Sequence, residues 1–141
     1  MVEINKKLIS ELLDKALSNP RFRQNYDLRT SQEDGGQRML NALMPNTDVP
    51  IHHHPNSNEN VILLYGKLIE ILFDDNGNEM ERFHLDPSVG DFGCVIPAGT
   101  WHTVKVIKPS VIYEAKDGKY GKDGSETLDE FIAKKNTSEN S

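Results

Sequence analysis

A single cysteine, Cys94, stands in this chain of 141 residues, so no internal disulfide can form and a thiolate-built zinc knot is excluded. Long hydrophobic runs are also missing. The longest, Val61 to Tyr65, falls far short of the ~20 apolar residues of a helical membrane span. Basic charge is scarce as well: 16 Lys and Arg face 22 Asp and Glu, for a net charge of -6. Nucleic acid and anionic membrane surfaces reward excess cations, so neither is an expected partner. The N-terminal residues lack the basic start and continuous apolar stretch of a signal peptide, and the cytoplasm is the expected compartment. What remains, 36% hydrophobic and 27% charged residues, is the profile of one soluble globular domain with a polar lean.

Three textures divide the chain. From Ile4 to Leu17 the apolar residues Leu8, Ile9, Leu12, Leu13, Ala16 and Leu17 recur at helical spacing, and Asn19-Pro20 ends the pattern. The polar stretch Arg21 to Gly36 reads as a connector, closed by the turn Asp34-Gly35-Gly36. Eight short strands are then predicted: 38–44, 48–53, 60–65, 67–73, 80–85, 92–96, 102–107 and 111–115. Asp74-Asp75-Asn76-Gly77 is a hairpin turn, and prolines punctuate the rest. Short strands without long intervening helices predict an all-β antiparallel sandwich or barrel. Thr127 and Glu130 have capping-box spacing, so a short C-terminal helix is expected, followed by a disordered tail from Lys134. The expected organisation is a helix and connector over 1–36, a barrel over 37–120, and a short helix with its tail over 121–141.

The chemistry concentrates in Pro50-Ile51-His52-His53-His54-Pro55-Asn56-Ser57-Asn58-Glu59. Side chains alternate along a strand, so His52 and His54 share a face and His53 opposes them. Glu59 has the wrong parity, but the turn residues 55–58 reset it. A fourth ligand is expected at His102, delivered by the tight turn in Pro97-Ala98-Gly99-Thr100-Trp101-His102. Three imidazoles and one carboxylate suit one divalent transition metal (Zn, Fe, Mn, Ni or Co) better than Ca or Mg.

The spacing His52-x-His54-x4-Glu59-x6-Gly66, then Pro97-x-Gly99-x2-His102, resembles the paired metal motifs of the cupin superfamily. Asn46 stands where the first motif opens with glycine, and Val106 where the second often has asparagine. The segments Pro20 to Asn25, Arg38 to Ala42, Ile96 to Val104 and Tyr113 to Tyr120 are similar to the WbuC family of cupin-fold metalloproteins. That resemblance covers roughly residues 8–120. It implies a double-stranded β-helix, or jelly-roll barrel, with one metal inside, a homodimer, and a setting in surface-polysaccharide (O-antigen type) metabolism.

Around such a metal the expected substrate pocket comprises Arg23, Asn25, Arg38, Asn41, Tyr65, Trp101 and Tyr120. Charged and amide groups on a strand leading to the histidines need a partner, which a pocket or an internal salt bridge would supply equally. Facing the metal, the arginines would grip carboxylate or phosphate. Trp101 reads equally as core. Cys94 reads as inert, since no base lies near it in sequence. The resulting expectation is a metal-binding protein for a small sugar-like or anionic metabolite, a carbohydrate or nucleotide sugar, with the metal as Lewis acid in an isomerase-, epimerase- or lyase-like reaction. Tyr65, Tyr113, Tyr120 and a metal-bound hydroxide are the candidate bases, unranked. The alternatives are an Fe- or Mn-dependent oxygenase or oxidase, and a binding or regulatory module without turnover.

Overall fold

The computed structural model describes residues 1–119, 121 and 124–139. Helix α1 spans Lys6–Ser18 and starts where Asn5 Oδ1 accepts the Leu8 amide at 3.0 Å. Eight strands follow: β1 (Arg23–Asp27), β2 (Gly36–Leu43), β3 (His52–His53), β4 (Glu59–Phe73), β5 (Glu79–Leu85), β6 (Gly93–Ile96), β7 (Trp101–Asp117) and β8 (Glu126–Thr127). Helix α2 spans Leu128–Glu139 and closes the described chain. The strands run in the order β1-β2-β7-β3-β8, while β4 pairs with β5, β6 and β7, all antiparallel. This is the expected all-β jelly roll with a helix at each end. Among the described residues no helix is long and apolar enough to cross a membrane.

Two apolar clusters hold it. One lies inside the barrel, where Leu43, Val61, Leu63, Leu68, Ile96 and Ile112 are buried together. The other joins α1 to the outer face of β2, with Leu12 and Ala16 against Leu40, Ala42 and Val111. Alternation along β2 therefore sends Leu40 and Ala42 outward to the helix and leaves Asn41 and Leu43 inward.

Several boundaries differ from the sequence expectation. The connector contains β1, whose register sets Asn25 opposite Asn41 and Arg23 opposite Leu43. Its inward residues are polar, so it carries no apolar alternation for a sequence reading to detect. The strands expected at 60–65 and 67–73 are one strand, and so are those at 102–107 and 111–115. Gly66 and Pro109-Ser110, read as two breaks, face each other across an irregularity in the β4–β7 ladder. Gly66 sits at φ 101°, and a Cβ there would lie 2.4 Å from the Pro109 carbonyl oxygen. Only glycine permits that approach. The strand expected over 48–53 shrinks to His52–His53.

The chain end differs too. The segment from Lys134, expected to be a disordered tail, is helical as far as Glu139, and Lys134 Nζ lies 3.1 Å from Glu126 Oε2. Thr127 Oγ1 accepts the Glu130 amide at 3.1 Å, as the capping-box spacing predicts. The expected hairpin turn forms, with the Gly77 amide donating to the Asp74 carbonyl at 3.0 Å.

Candidate metal centre

Three elements bring the histidines together. β3 carries His52, His54 follows it, and β7 pairs His102 directly with His52. One ring nitrogen from each of His52, His54 and His102 falls within 4.8 Å of the others. The other nitrogens point outward and are held. His52 Nδ1 donates to the Pro50 carbonyl at 2.9 Å, and His102 Nδ1 donates to the Thr100 carbonyl at 2.9 Å. A carbonyl can only accept, so both rings carry their proton on Nδ1 and turn an Nε2 lone pair inward. His54 Nδ1 meets the Ser125 hydroxyl at 2.6 Å. An outer partner that fixes the tautomer is the usual support of a metal-ligating imidazole.

The turn after His54 returns Glu59 to the same point. The His54 carbonyl accepts the Ser57 and Gly99 amides, at 3.3 and 3.1 Å. Asn58 Oδ1 accepts the Ala98 amide at 3.0 Å, tying the histidine loop to the Pro-x-Gly turn. Glu59, 5% exposed, places Oε2 at 3.1 Å from His102 Nε2 and 3.5 Å from His54 Nε2. That oxygen is buried without a well-directed hydrogen bond. Buried carboxylate oxygens are costly unless paired, and a cation held jointly with the imidazoles satisfies this one. The donor set, three neutral nitrogens and one hard oxygen, fits a divalent transition metal.

The electrostatics agree with that fit. Burial, with His102 beside it, lowers His52 to about 4, so it is neutral and ligand-competent at pH 7. Burial opposes charge on Glu59, but the proximity and charge of His102, 3.1 Å away, outweigh it and hold the carboxyl at about 2. His102 is itself pulled down by burial and carried up by Glu59. Without a cation the pair favours an ionised Glu59 beside a protonated His102.

The centre opens onto a cavity of about 330 Å³. Arg23, Asn25 and Asn41 line it, as do Arg21 and Lys116. Of the remaining expected pocket residues, Arg38, Tyr65 and Trp101 do not. Arg38 is ion-paired to Asp34, which it holds down at about 2, and it lines a separate hollow with Asp27 and Arg29. The salt bridge, not the pocket, answers its charge. Tyr65 is 52% exposed, because the irregularity at Gly66 turns it outward. Trp101 is 1% exposed but belongs to the opposite face: its ring stacks on His53 at 3.6 Å and its indole N–H donates to Asp75 at 2.9 Å. Tyr120 lies outside the described residues. Tyr113 packs toward α1. No tyrosine of the described residues lines the cavity.

Sequence reasoning missed two carboxyls that do, Glu70 and Glu114. Burial, reinforced by Glu59, pushes Glu70 up to about 8 and Glu114 to about 7. The signal was present: Glu70 interrupts Leu68-Ile69-Glu70-Ile71-Leu72, a run otherwise apolar. Burial also pushes the Cys94 thiol up to about 12, which leaves it unreactive as expected.

Known proteins share this architecture. The capsular polysaccharide assembling protein CapF from Staphylococcus aureus is similar at TM-score 0.65 and 17% identity, over 78% of this chain and 32% of that one. Oxalate decarboxylase from Lactobacillus farciminis is similar at TM-score 0.61 and 15% identity, over 79% of this chain and 33% of that one. At these identities the likeness is one of fold, and the fold is the cupin barrel. In sequence, an uncharacterized protein, L612, of Acanthamoeba polyphaga mimivirus is 27% identical over 101 residues, 71% of this chain and 56% of that protein. The chain thus spans little more than half of that relative and about a third of the two structures. A family model matches residues 4–85, which include His52, His54 and Glu59 and stop short of His102; the chain belongs to that family, a domain of unknown function (DUF6016).

Proposed function

We propose that this chain is a metal-binding cupin protein acting on a small sugar-like or anionic metabolite, in surface-polysaccharide metabolism of the kind its WbuC resemblance implies. One divalent transition metal would be held by His52, His54, His102 and Glu59. The single observation that carries this reading is the set of outward-tethered imidazoles whose remaining nitrogens converge beside an orphaned carboxylate oxygen. When bound, the metal would polarise a carbonyl or hydroxyl, or bring a water toward a pKa of ~7. The chain's own part is to orient the ligand through the cavity's amides and cations and to hold protons on Glu70 and Glu114. With Tyr65 and Tyr113 placed elsewhere, those two carboxyls are the cavity groups proposed to move a proton in an isomerase-, epimerase- or lyase-like step.

Elemental analysis of tag-free protein beside His102→Ala tests the reading. About one equivalent of metal in the native protein, lost in the variant, is expected. Absence of metal after reconstitution with Zn, Fe, Mn, Ni or Co overturns it. Zn, Ni or Co as the native element favours the Lewis-acid reaction, whereas Fe or Mn with oxygen uptake favours an oxidase. A homodimer is proposed as the assembly. Its support is the edge strand β6, which among the described residues pairs only with β4, and the apolar Ile62, Phe92 and Val95 exposed around it.

A further inference from the structure

Arg23 poses a physical problem that the metal does not solve. Its Nε is buried and has no hydrogen-bond partner, although the side chain is charged. Arg21 stands close enough to depress its protonation further, after burial itself, and Asp48 offsets this only in part. Lys116 lines the same cavity. Among the described residues none of the three cations makes an ion pair, whereas Arg29, Arg38 and Arg82 elsewhere on the molecule all do. Glu59, Glu70 and Glu114 share the cavity and Lys116 acts on the charges of Glu59 and Glu114, but no carboxylate of the described residues pairs with Arg23, whose buried Nε is left for an anion that enters.

A second orphan lies beside the first. Asn41 Oδ1 is buried without a partner, while the Asn41 amide is engaged with Glu114. Asn41 pairs with Asn25, two residues along β1 from Arg23, so a free donor and a free acceptor share one inward face. Both line the cavity onto which His52, His54 and His102 open.

We propose that this cavity contains an anion subsite built on Arg23, flanked by Arg21 and Lys116, and that the ligand is a small hydroxylated carboxylate or phosphate ester. Its charged group is bound by Arg23, a hydroxyl donates to Asn41 Oδ1, and its other oxygens face the metal centre. The arginine fork matches either oxyanion. Size narrows the class: about 330 Å³ lies at the low end of the roughly 300–1,000 Å³ of ligand sites. That accommodates one sugar acid or sugar phosphate. The inference deepens the metal-dependent reading and rests on it for the ligand's second contact.

Calorimetry on the full chain, with metal content measured in the same samples, tests it. The probes are gluconate, its uncharged analogue glucitol, and inorganic phosphate, against native protein, Arg23→Met and Arg23→Lys. Native protein is expected to bind gluconate or phosphate and not glucitol. Phosphate alone would point to phosphorylated ligands, gluconate alone to sugar acids, and both to recognition of the charge itself. Arg23→Met should lose at least about tenfold in anion affinity with its metal content unchanged. Arg23→Lys should lose less. Removing a half-buried charge whose Nε lacks a partner should also leave the anion-free Tm of Arg23→Met at or above native, where a structural salt-bridge role would lower it. Anion binding by Arg23→Met equal to native, glucitol binding equal to gluconate, or no anion binding by native protein that carries its metal would overturn the proposal. Loss of metal from native protein would instead refute the metal reading, and Arg23-dependent phosphate binding would then still stand.

Discussion

Glu70 shows how one buried side chain sets a pH dependence. Its carboxyl lies inside the barrel, 4% exposed, and burial raises it to about 8 from an unfolded value near 4.5. Between those values the native state holds a proton that the unfolded chain has released. Its contribution is therefore fully present below about pH 4.5 and declines as pH rises toward 8. His52 acts in the opposite sense: lowered to about 4, it favours the folded state above the usual histidine range and loses that contribution as pH falls. Comparing chelator-treated native protein with Glu70→Gln isolates the glutamate. Near pH 4.5 the two should melt together, and at pH 8 the variant should melt at least about 4 °C higher. Superimposable melting profiles from pH 4.5 to 8.5 would refute the assignment. At this scale the sequence was most legible where spacing encodes geometry. His52, His54 and His102 meet because strand parity and one tight turn require it. Glu70 is marked only by interrupting an apolar run and Glu114 by nothing, and neither stands at a ligand spacing that would tie it to the histidines.

Among the elements, β4 illustrates why strand boundaries were harder to read than ligands. Its first half buries Glu59, Val61 and Leu63 and exposes the residues between them. Past Gly66 the inward parity switches, so Leu68 joins the barrel core and Glu70 lines the cavity. An odd-numbered and an even-numbered glutamate thus enter the same cavity from one strand, which a regular ladder forbids. The switch needs the Gly66 backbone against Ser110 and Pro109, so a sequence reading saw two turns where the fold has one irregular crossing. Gly66→Ala should cost about 2–4 kcal/mol, from a φ of 101° imposed on an L-residue and from overlap with the Pro109 carbonyl. Urea titration with an unchanged m value is the check, and a loss below about 1 kcal/mol would show that the crossing relaxes easily. β1 was invisible for another reason. A strand whose inner face lines a polar cavity has no apolar alternation, so the segment read as a solvated connector is the wall that carries Arg23 and Asn25.

Across the whole molecule, polarity is unevenly distributed, and that distribution links stability to function. The apolar cluster around Leu43, Leu63 and Leu68 fills part of the barrel, while ionisable and amide groups occupy the cavity. The cluster supplies the burial that tolerates such groups. The C-terminal segment spans the outside of the metal centre: Ser125 reaches His54, Glu126 reaches His53, and Phe131 packs on the Trp101 ring at 5.3 Å. The same unevenness appears on the outer surface. Val95 is 62% exposed on β6, with Phe92 and Ile62 exposed beside it, and β6 has one unpaired edge. An apolar edge strand left open invites pairing with another chain, and a second copy presents the same edge antiparallel to it. Val95→Glu places a charge on that edge without touching the inward Cys94 and Ile96. The variant should elute as a folded monomer with native metal content, where the native protein should run at twice the mass by light scattering. A native protein already monomeric at micromolar concentration would exclude the dimer, and a Val95→Glu dimer would move its interface away from β6.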